Sequence, residues 1–183
     1  MTRIACLGWG SLIWDPRELP IRRHWFDDGP FAPVEFTRQS QDGRMTLVLD
    51  GEADLVRLLW AHYDTGNLEA SRRALGAREG IPKGDWDTRI GVWRVGREAP
   101  TLIPDLPVWA DSRGIQGVAW TSLPPKFGDE ERRPTIDEVI SHLTSLTGPR
   151  RDNAETYVRR TPRQIDTAYR RRIEAALGWC PTP

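Results

Sequence analysis

The order of secondary-structure signals along the chain most constrains its fold, because strand-like runs come first and helical runs come last. The strand-like runs lie at residues 4–7, 34–37, 45–49, 55–63, 89–95 and 115–123. Gln41-Asp42-Gly43 separates the second and third runs and predicts a hairpin. After Pro124-Pro125 the apolar spacing becomes helical. This order favours an α+β chain over a doubly wound fold.

The strand-rich part contains one helix-like segment. Asn67 is a good N-cap, Leu68–Leu75 suits about two helical turns, and Gly76 and Gly80 are candidate stops. We therefore expect a small mixed β-barrel or curled sheet with one helix inside the β-rich part and a helical C-terminal extension.

Three capping pairs divide the C-terminal part into helices. The pairs are Thr135 with Glu138, Asp152 with Glu155, and Thr161 with Gln164. We expect Gly148 to end the first helix and Gly178 to end the last. The 183 residues fit a single domain, with a β-rich core over 1–125 and helices packed on it over 134–178.

The first strand ends in a loop of small residues, Gly8-Trp9-Gly10-Ser11. Two glycines let a ligand approach the main-chain N–H groups, so the loop is a candidate anion or oxyanion site. A dinucleotide-binding fingerprint would need a third glycine at position 13, where the chain has Ile13, and a helix that Asp15-Pro16 prevents.

Charge and cysteine content narrow the function classes. The 26 basic and 26 acidic residues cancel, which argues against affinity of the whole surface for nucleic acid or anionic membrane. We find no signal peptide and no long apolar run, and expect a cytoplasmic protein. Cys6 fits a small core residue better than a nucleophile. His24, His62 and His142 share no ligand spacing, so we expect no metal.

Glu79 is the strongest candidate for acid–base chemistry. It stands at the expected C-terminus of the helix, just before Gly80. The negative end of the helix dipole and desolvation both favour a protonated carboxyl there, which suits a general base or acid near neutral pH. Arg78 would oppose this effect if the two side chains meet. The alternative is an exposed carboxylate at a helix end.

Two of these segments resemble the γ-glutamylcyclotransferase family, including its ChaC-type branch. Trp9-Gly10-Ser11-Leu12 resembles the Tyr-Gly-Ser-Leu/Asn signature, with Trp9 in place of the tyrosine. Residues 55–61, then Leu68 and Arg78-Glu79-Gly80, are similar to the family's strand, helix and terminal Glu-Gly.

A third, looser match extends this resemblance. Phe36–Ser40 and Arg44 resemble the Arg, Ser and Arg pattern of the ChaC-type branch. Together the matches cover about residues 4–123 in order. The tyrosine expected in the family shortly after Gly80 is absent.

The resemblance implies a cofactor-free enzyme that converts a small γ-glutamyl peptide, amino acid or amine to 5-oxoproline and a free amine. It makes Glu79 the residue that shuttles the proton. The substrate's carboxylate or the oxyanion would be held by backbone N–H groups of Trp9, Gly10, Ser11 and Leu12. Gly8 and Arg38 are further candidates for substrate contact.

Two alternatives stay open. The chain could be a diverged ligand-binding member of the same fold, because a fold does not fix a function. Residues 150–183 also hold eight arginines against four acidic residues, so the C-terminal helices could bind nucleic acid or another protein. A small-molecule substrate is the expectation we prefer over nucleic acid. The sequence leaves the leaving group and the oligomeric state open.

Overall fold

The computed structural model describes residues 2–181 and divides into two compact units. Unit 1 comprises the chain up to Gly8 together with Asp15–Ala32 and Arg57–Leu123. Unit 2 comprises Trp9–Trp14, Pro33–Val56 and the chain from Pro124 onward. The expectation of one domain over 1–183 stays a prediction.

Strands and helices both contribute, as the α+β expectation requires. The strands are β1 (Ile4–Gly8), β2 (Phe31–Gln39), β3 (Met45–Leu49), β4 (Leu55–Arg57), β5 (Leu59–His62), β6 (Ile90–Arg94) and β7 (Gly117–Thr121). The helices are α1 (Leu68–Arg78), α2 (Trp86–Arg89), α3 (Leu106–Ser112), α4 (Ile136–Ser145), α5 (Gly148–Arg160) and α6 (Ala168–Leu177). A 3-10 turn, Lys83–Asp85, precedes α2. No helix within residues 2–181 is long and apolar enough to cross a membrane.

The strands form two open sheets, so the expectation of a barrel is wrong. One sheet has the order β5-β1-β7-β6 and the other has the order β3-β2-β4. The apolar run 55–63, expected to be one strand, is interrupted at Leu58 and supplies β4 to one sheet and β5 to the other. At the interruption Leu58 donates its N–H to the Pro30 carbonyl and accepts from the Gly29 N–H. These bonds turn the chain away from a continuous ladder.

In unit 1, β1 is the strand that organises the sheet. It pairs antiparallel with β5 and parallel with β7, and every one of its residues is buried. Helix α1 packs mainly on β7, where Gly117 lies against the Leu68 side chain. A strand with neighbours on both edges and with the side chains of both faces buried is apolar throughout, which explains the sequence Ile4–Gly8.

Helix α1 begins as expected but runs further than expected. The Asn67 side chain accepts from the Ala70 N–H at 3.0 Å and caps the helix. Gly76 lies inside the helix and does not end it. The Trp86 indole lies against Gly76 where a Cβ would overlap the ring, which explains the glycine at this position. The helix ends before Gly80, whose φ is +69°. The strand-rich part also contains α2 and α3, so the expectation of a single helix there is wrong.

Unit 2 contains the hairpin and the first capping box that the sequence predicts. Strands β2 and β3 pair antiparallel, and Gly43 has the positive φ of +89° that the turn requires. Thr135 and Glu138 exchange side-chain and backbone hydrogen bonds at the start of α4. Helix α4 ends at Ser145, and Gly148 begins α5 instead of ending α4.

The other two capping pairs do not begin helices. Asp152 and Glu155 lie inside α5, which begins earlier because Pro149 suits its first turn. Thr161 is the C-cap of α5, and α6 begins after Thr167. Gly178 ends α6 with a left-handed φ of +72°, as expected.

Two charged side chains fix where α6 begins. Glu35 in β2 accepts from the Tyr169 N–H at 3.1 Å and from the Thr167 hydroxyl, so a strand carboxylate caps the first turn of α6. The buried Arg170 guanidinium donates to the carbonyl groups of Thr161, Pro162 and Ile165. These bonds keep residues 161–165 out of a helix.

Candidate active site

Glu79 is the C-cap residue of α1 in unit 1, and its backbone is fixed on both sides. Its N–H donates to the Leu75 carbonyl at 3.0 Å, and the Ile81 N–H donates to the Gly76 carbonyl at 3.0 Å. The Trp86 indole N–H donates to the Ile81 carbonyl at 2.8 Å. The helix end that carries the carboxylate is therefore rigidly held.

The Glu79 carboxylate has one bonded oxygen. Oε1 accepts from the Arg78 guanidinium at 2.8 Å, so the two side chains do meet. The Glu79 side chain is 18% exposed and that of Arg78 is 6% exposed. Among residues 2–181 no donor contacts Oε2. A mostly desolvated carboxylate with one unused oxygen is suited to accept a proton from a ligand.

The charge of Glu79 acts on two buried residues of unit 1, Cys6 and Tyr63. Cys6 stands opposite Ala61 in the β1–β5 ladder, and Tyr63 follows two residues later on the same face. Burial is the main cause that raises the pKa of Cys6 to about 12, and the negative charge of Glu79 contributes in the same direction. Cys6 is therefore a neutral core thiol, as expected, and is unsuited to act as a nucleophile.

Tyr63 carries a buried hydroxyl on which the Glu79 charge acts. Its Oη finds no hydrogen-bond partner of good geometry among residues 2–181. Burial raises the pKa of Tyr63 well above its ordinary value, and the Glu79 charge acts in the same direction. Sequence reasoning missed Tyr63, although its position two residues after Ala61 at the end of an apolar run places it on the Ala61 face.

The loop Trp9–Leu12 belongs to unit 2, where it is tightly packed. The Trp9 indole N–H donates to the Leu47 carbonyl at 3.1 Å. Gly10 lies against the Tyr157 hydroxyl, which a Cβ at Gly10 would overlap. Among residues 2–181 the backbone N–H groups of Gly10 and Leu12 have no acceptor. Such unpaired main-chain donors are the feature expected of an anion-binding loop.

Tyr157 is a second residue that sequence reasoning missed. Its hydroxyl accepts from the Leu47 N–H at 3.2 Å, and its ring meets that of Trp14 edge-on, with centroids 5.4 Å apart. It lies on α5, far along the chain from the loop that it contacts. No local sequence signal could have identified it.

Some of the candidate residues belong to unit 1 and the others belong to unit 2. Gly8 and Glu79 belong to unit 1. Trp9, Gly10, Ser11, Leu12 and Arg38 belong to unit 2. Arg38 lies in β2 and donates to the Pro124 carbonyl at 2.7 Å. Unit 1 thus brings Glu79 together with Arg78, Cys6 and Tyr63, and unit 2 brings the loop together with Leu47 and Tyr157.

Several C-terminal arginines are engaged within unit 2. Arg170 is 2% exposed and bonds to Glu174 at 2.8 Å. Arg159 pairs with Glu155, and Arg171 pairs with Asp166. These contacts reduce the positive charge that the helices present to a phosphate. Within residues 2–181 no three His, Cys, Asp or Glu side chains are grouped to hold a metal ion.

Comparisons with known proteins give no match to a protein-family model and none to a curated protein. Among solved structures, the chain is similar to a yeast γ-glutamyl cyclotransferase specific to glutathione. The TM-score is 0.45 at 15% identity, over 100% of this chain and 90% of that chain. A likeness of this size carries no argument about function, so the proposals below depend on the chain's own residues.

Proposed function

We propose that the protein is a γ-glutamylcyclotransferase-like enzyme that releases 5-oxoproline from a small γ-glutamyl compound. The observation that carries the proposal is the Glu79 carboxylate, which is mostly desolvated, held through Oε1 by Arg78, and unbonded at Oε2 within residues 2–181. The sequence resemblance in the 78–80 segment supports the same residue.

The proposed reaction needs one proton shuttle. Oε2 of Glu79 takes a proton from the substrate's α-ammonium, and the freed amine attacks the γ-carbonyl carbon to form the ring C–N bond. Glu79 returns this proton to the leaving nitrogen as the bond between that nitrogen and the carbon breaks. The ring nitrogen then passes its second proton through Glu79 to the departing amine, which leaves as an ammonium ion, so 5-oxoproline keeps one N–H. The protein supplies no covalent nucleophile, which agrees with a neutral thiol at Cys6.

The loop of unit 2 supplies the second part of the proposal. The unpaired N–H groups of Gly10 and Leu12 support its role as a binder of a substrate carboxylate or oxyanion. The backbone N–H groups of Trp9 and Ser11 are proposed to bind the same anionic group. Gly8 and Arg38 remain candidates for substrate contact.

The test is release of 5-oxoproline from glutathione, γ-glutamyl amino acids and γ-glutamylamines. We expect Glu79→Gln to lower kcat about 10²–10⁴-fold, because it keeps the shape of the side chain but removes the proton acceptor. The matched control is Glu69→Gln, which changes an exposed glutamate on the same helix. Melting temperature is measured in parallel. Unchanged turnover in Glu79→Gln would contradict the role of Glu79, and no turnover of any compound would favour the ligand-binding alternative.

A further inference from the structure

Arg17 has a backbone conformation that requires an explanation. Its φ is +51°, and it is the one non-glycine residue with a positive φ within residues 2–181. The backbone of an L-residue with a side chain rarely adopts a positive φ, whereas that of glycine does so without strain. Such outliers concentrate at functional sites. The contacts of the Arg17 side chain therefore require examination.

The Arg17 side chain holds the end of α1. Its guanidinium donates to the Arg78 carbonyl at 3.3 Å and contacts the Asp15 carboxylate at 3.3 Å. The Arg78 carbonyl is one of the last of α1 and has no partner within the helix. A guanidinium there also faces the negative end of the helix dipole.

Arg78 makes the reciprocal bond. Its Nε donates to the Asp15 carbonyl at 3.2 Å, and its Nη2 donates to the same oxygen. Its Nη1 donates to Oε1 of Glu79 at 2.8 Å. We call Asp15, Arg17 and Arg78 the arginine clasp. Each arginine binds a main-chain carbonyl of the segment that carries the other, and Arg78 also donates to the Glu79 carboxylate.

We propose that Arg17 and Arg78 are positioning residues that hold the Glu79 carboxylate for proton transfer. Arg78 fixes Oε1 directly. Arg17 acts through Arg78, because it bonds to the Arg78 carbonyl and to Asp15, whose own carbonyl accepts from the Arg78 side chain. The inference depends on the proposed function only for its kinetic effect, because the geometry that it describes is independent of substrate.

The kinetic test uses Arg17→Gly, which keeps the positive φ without strain and removes the guanidinium. We expect kcat for 5-oxoproline release to fall about tenfold because the carboxylate is less well placed. KM should change less than about twofold, since no substrate contact is lost. The melting temperature should change little, since the lost bonds are exposed and the relief of backbone strain offsets them. The matched control is Arg22→Ala, whose ion pair with Asp64 is similarly exposed.

A double variant distinguishes positioning from a merely structural role. If Arg17 acts through Arg78, kcat of the Arg17→Gly/Arg78→Met protein equals that of Arg78→Met alone. Losses that multiply, or an Arg17→Gly protein with unchanged kcat, would overturn the proposal.

A second readout does not need turnover. In protein labelled with ¹³C at the side-chain carboxyl carbon of glutamate, the Glu79 carboxyl resonance is assigned by its absence in Glu79→Gln. We expect that resonance to shift in Arg17→Gly and to stay in place in Arg22→Ala. If wild type releases no 5-oxoproline but the resonance shifts, the proposed function fails and the clasp stands. An unmoved resonance in Arg17→Gly overturns the clasp.

Discussion

Two shielded glutamates, Glu79 in unit 1 and Glu35 in unit 2, are held in opposite ways. Glu35 is 1% exposed, and both its oxygens are bonded: Oε1 accepts from the Phe36 N–H and the Thr167 hydroxyl, and Oε2 from the Tyr169 N–H. Within the described residues 2–181, Glu79 has one bonded oxygen. A fully bonded carboxylate fixes a fold, whereas one with an unused oxygen is available for chemistry.

Arg170 extends the comparison to cations. It uses its guanidinium entirely within unit 2, on three carbonyl groups and Glu174. Arg78 in unit 1 instead directs one N–H to the candidate carboxylate. We therefore expect substitutions of buried charge in unit 2 to change stability and those around Glu79 to change turnover.

The largest stability effect is expected for Arg170→Ala. It leaves Glu174 and three carbonyl groups without their donor, and we expect the free energy of unfolding to fall by about 3–5 kcal/mol. Urea denaturation measures this, with the exposed neighbour Arg171→Ala as the control, expected to change it by less than about 0.5 kcal/mol. Equal effects of the two variants would show that burial of Arg170 does not matter.

A smaller effect is expected for Glu35→Gln. The amide must direct either its oxygen or its NH₂ group at each donor, so one donor among Phe36, Thr167 and Tyr169 loses its acceptor. We expect a loss of about 1–3 kcal/mol in the free energy of unfolding, with kcat for 5-oxoproline release unchanged. Glu79→Gln should show the reverse pattern. Lost turnover without lost stability in Glu35→Gln would break the comparison.

The smallest effect is a pH dependence that belongs to Glu35. Burial raises the pKa of Glu35 above its ordinary value of 4.5. The folded protein then keeps this proton at pH values where the unfolded chain has released it. The contribution of Glu35 to the free energy of unfolding is therefore fully present below pH 4.5 and is lost as pH rises through the raised pKa. Urea midpoints of wild type and Glu35→Gln between pH 4 and 8 measure the difference. A difference that does not change with pH would contradict the expectation.

Local structural features that depend on residues a few positions apart could be predicted from the sequence. The capping box of Thr135 and Glu138, the turn at Gly43 and the stop at Gly178 are all present. Thr161 failed as a helix start because Arg170 holds its carbonyl group, a contact that local pattern does not contain. The expected barrel is absent, and the run 55–63 is divided between two sheets at Leu58, which bonds to Gly29 and Pro30, residues distant along the chain.

The candidate site divides in the same way. Glu79 and the Gly8–Leu12 loop were identified from sequence, through a helix end and a run of small residues, and their roles stay predictions. Of the surroundings of Glu79, only Arg78 was anticipated from the sequence. Tyr63, on which the Glu79 charge acts, and Arg17, which binds the Arg78 carbonyl, belong to other segments of unit 1 and were not identified.

The sequence by itself determined the buried first strand, the hairpin, the helix starts at Asn67 and Thr135, and the presence of a carboxylate at the end of α1, because each depends on residues adjacent along the chain. Only the tertiary structure decided that Glu79 is desolvated and that one of its oxygens is bonded, that Arg17 adopts a positive φ, and that Glu35 caps α6. Desolvation and hydrogen bonding at these positions come from groups that meet only after the chain has folded.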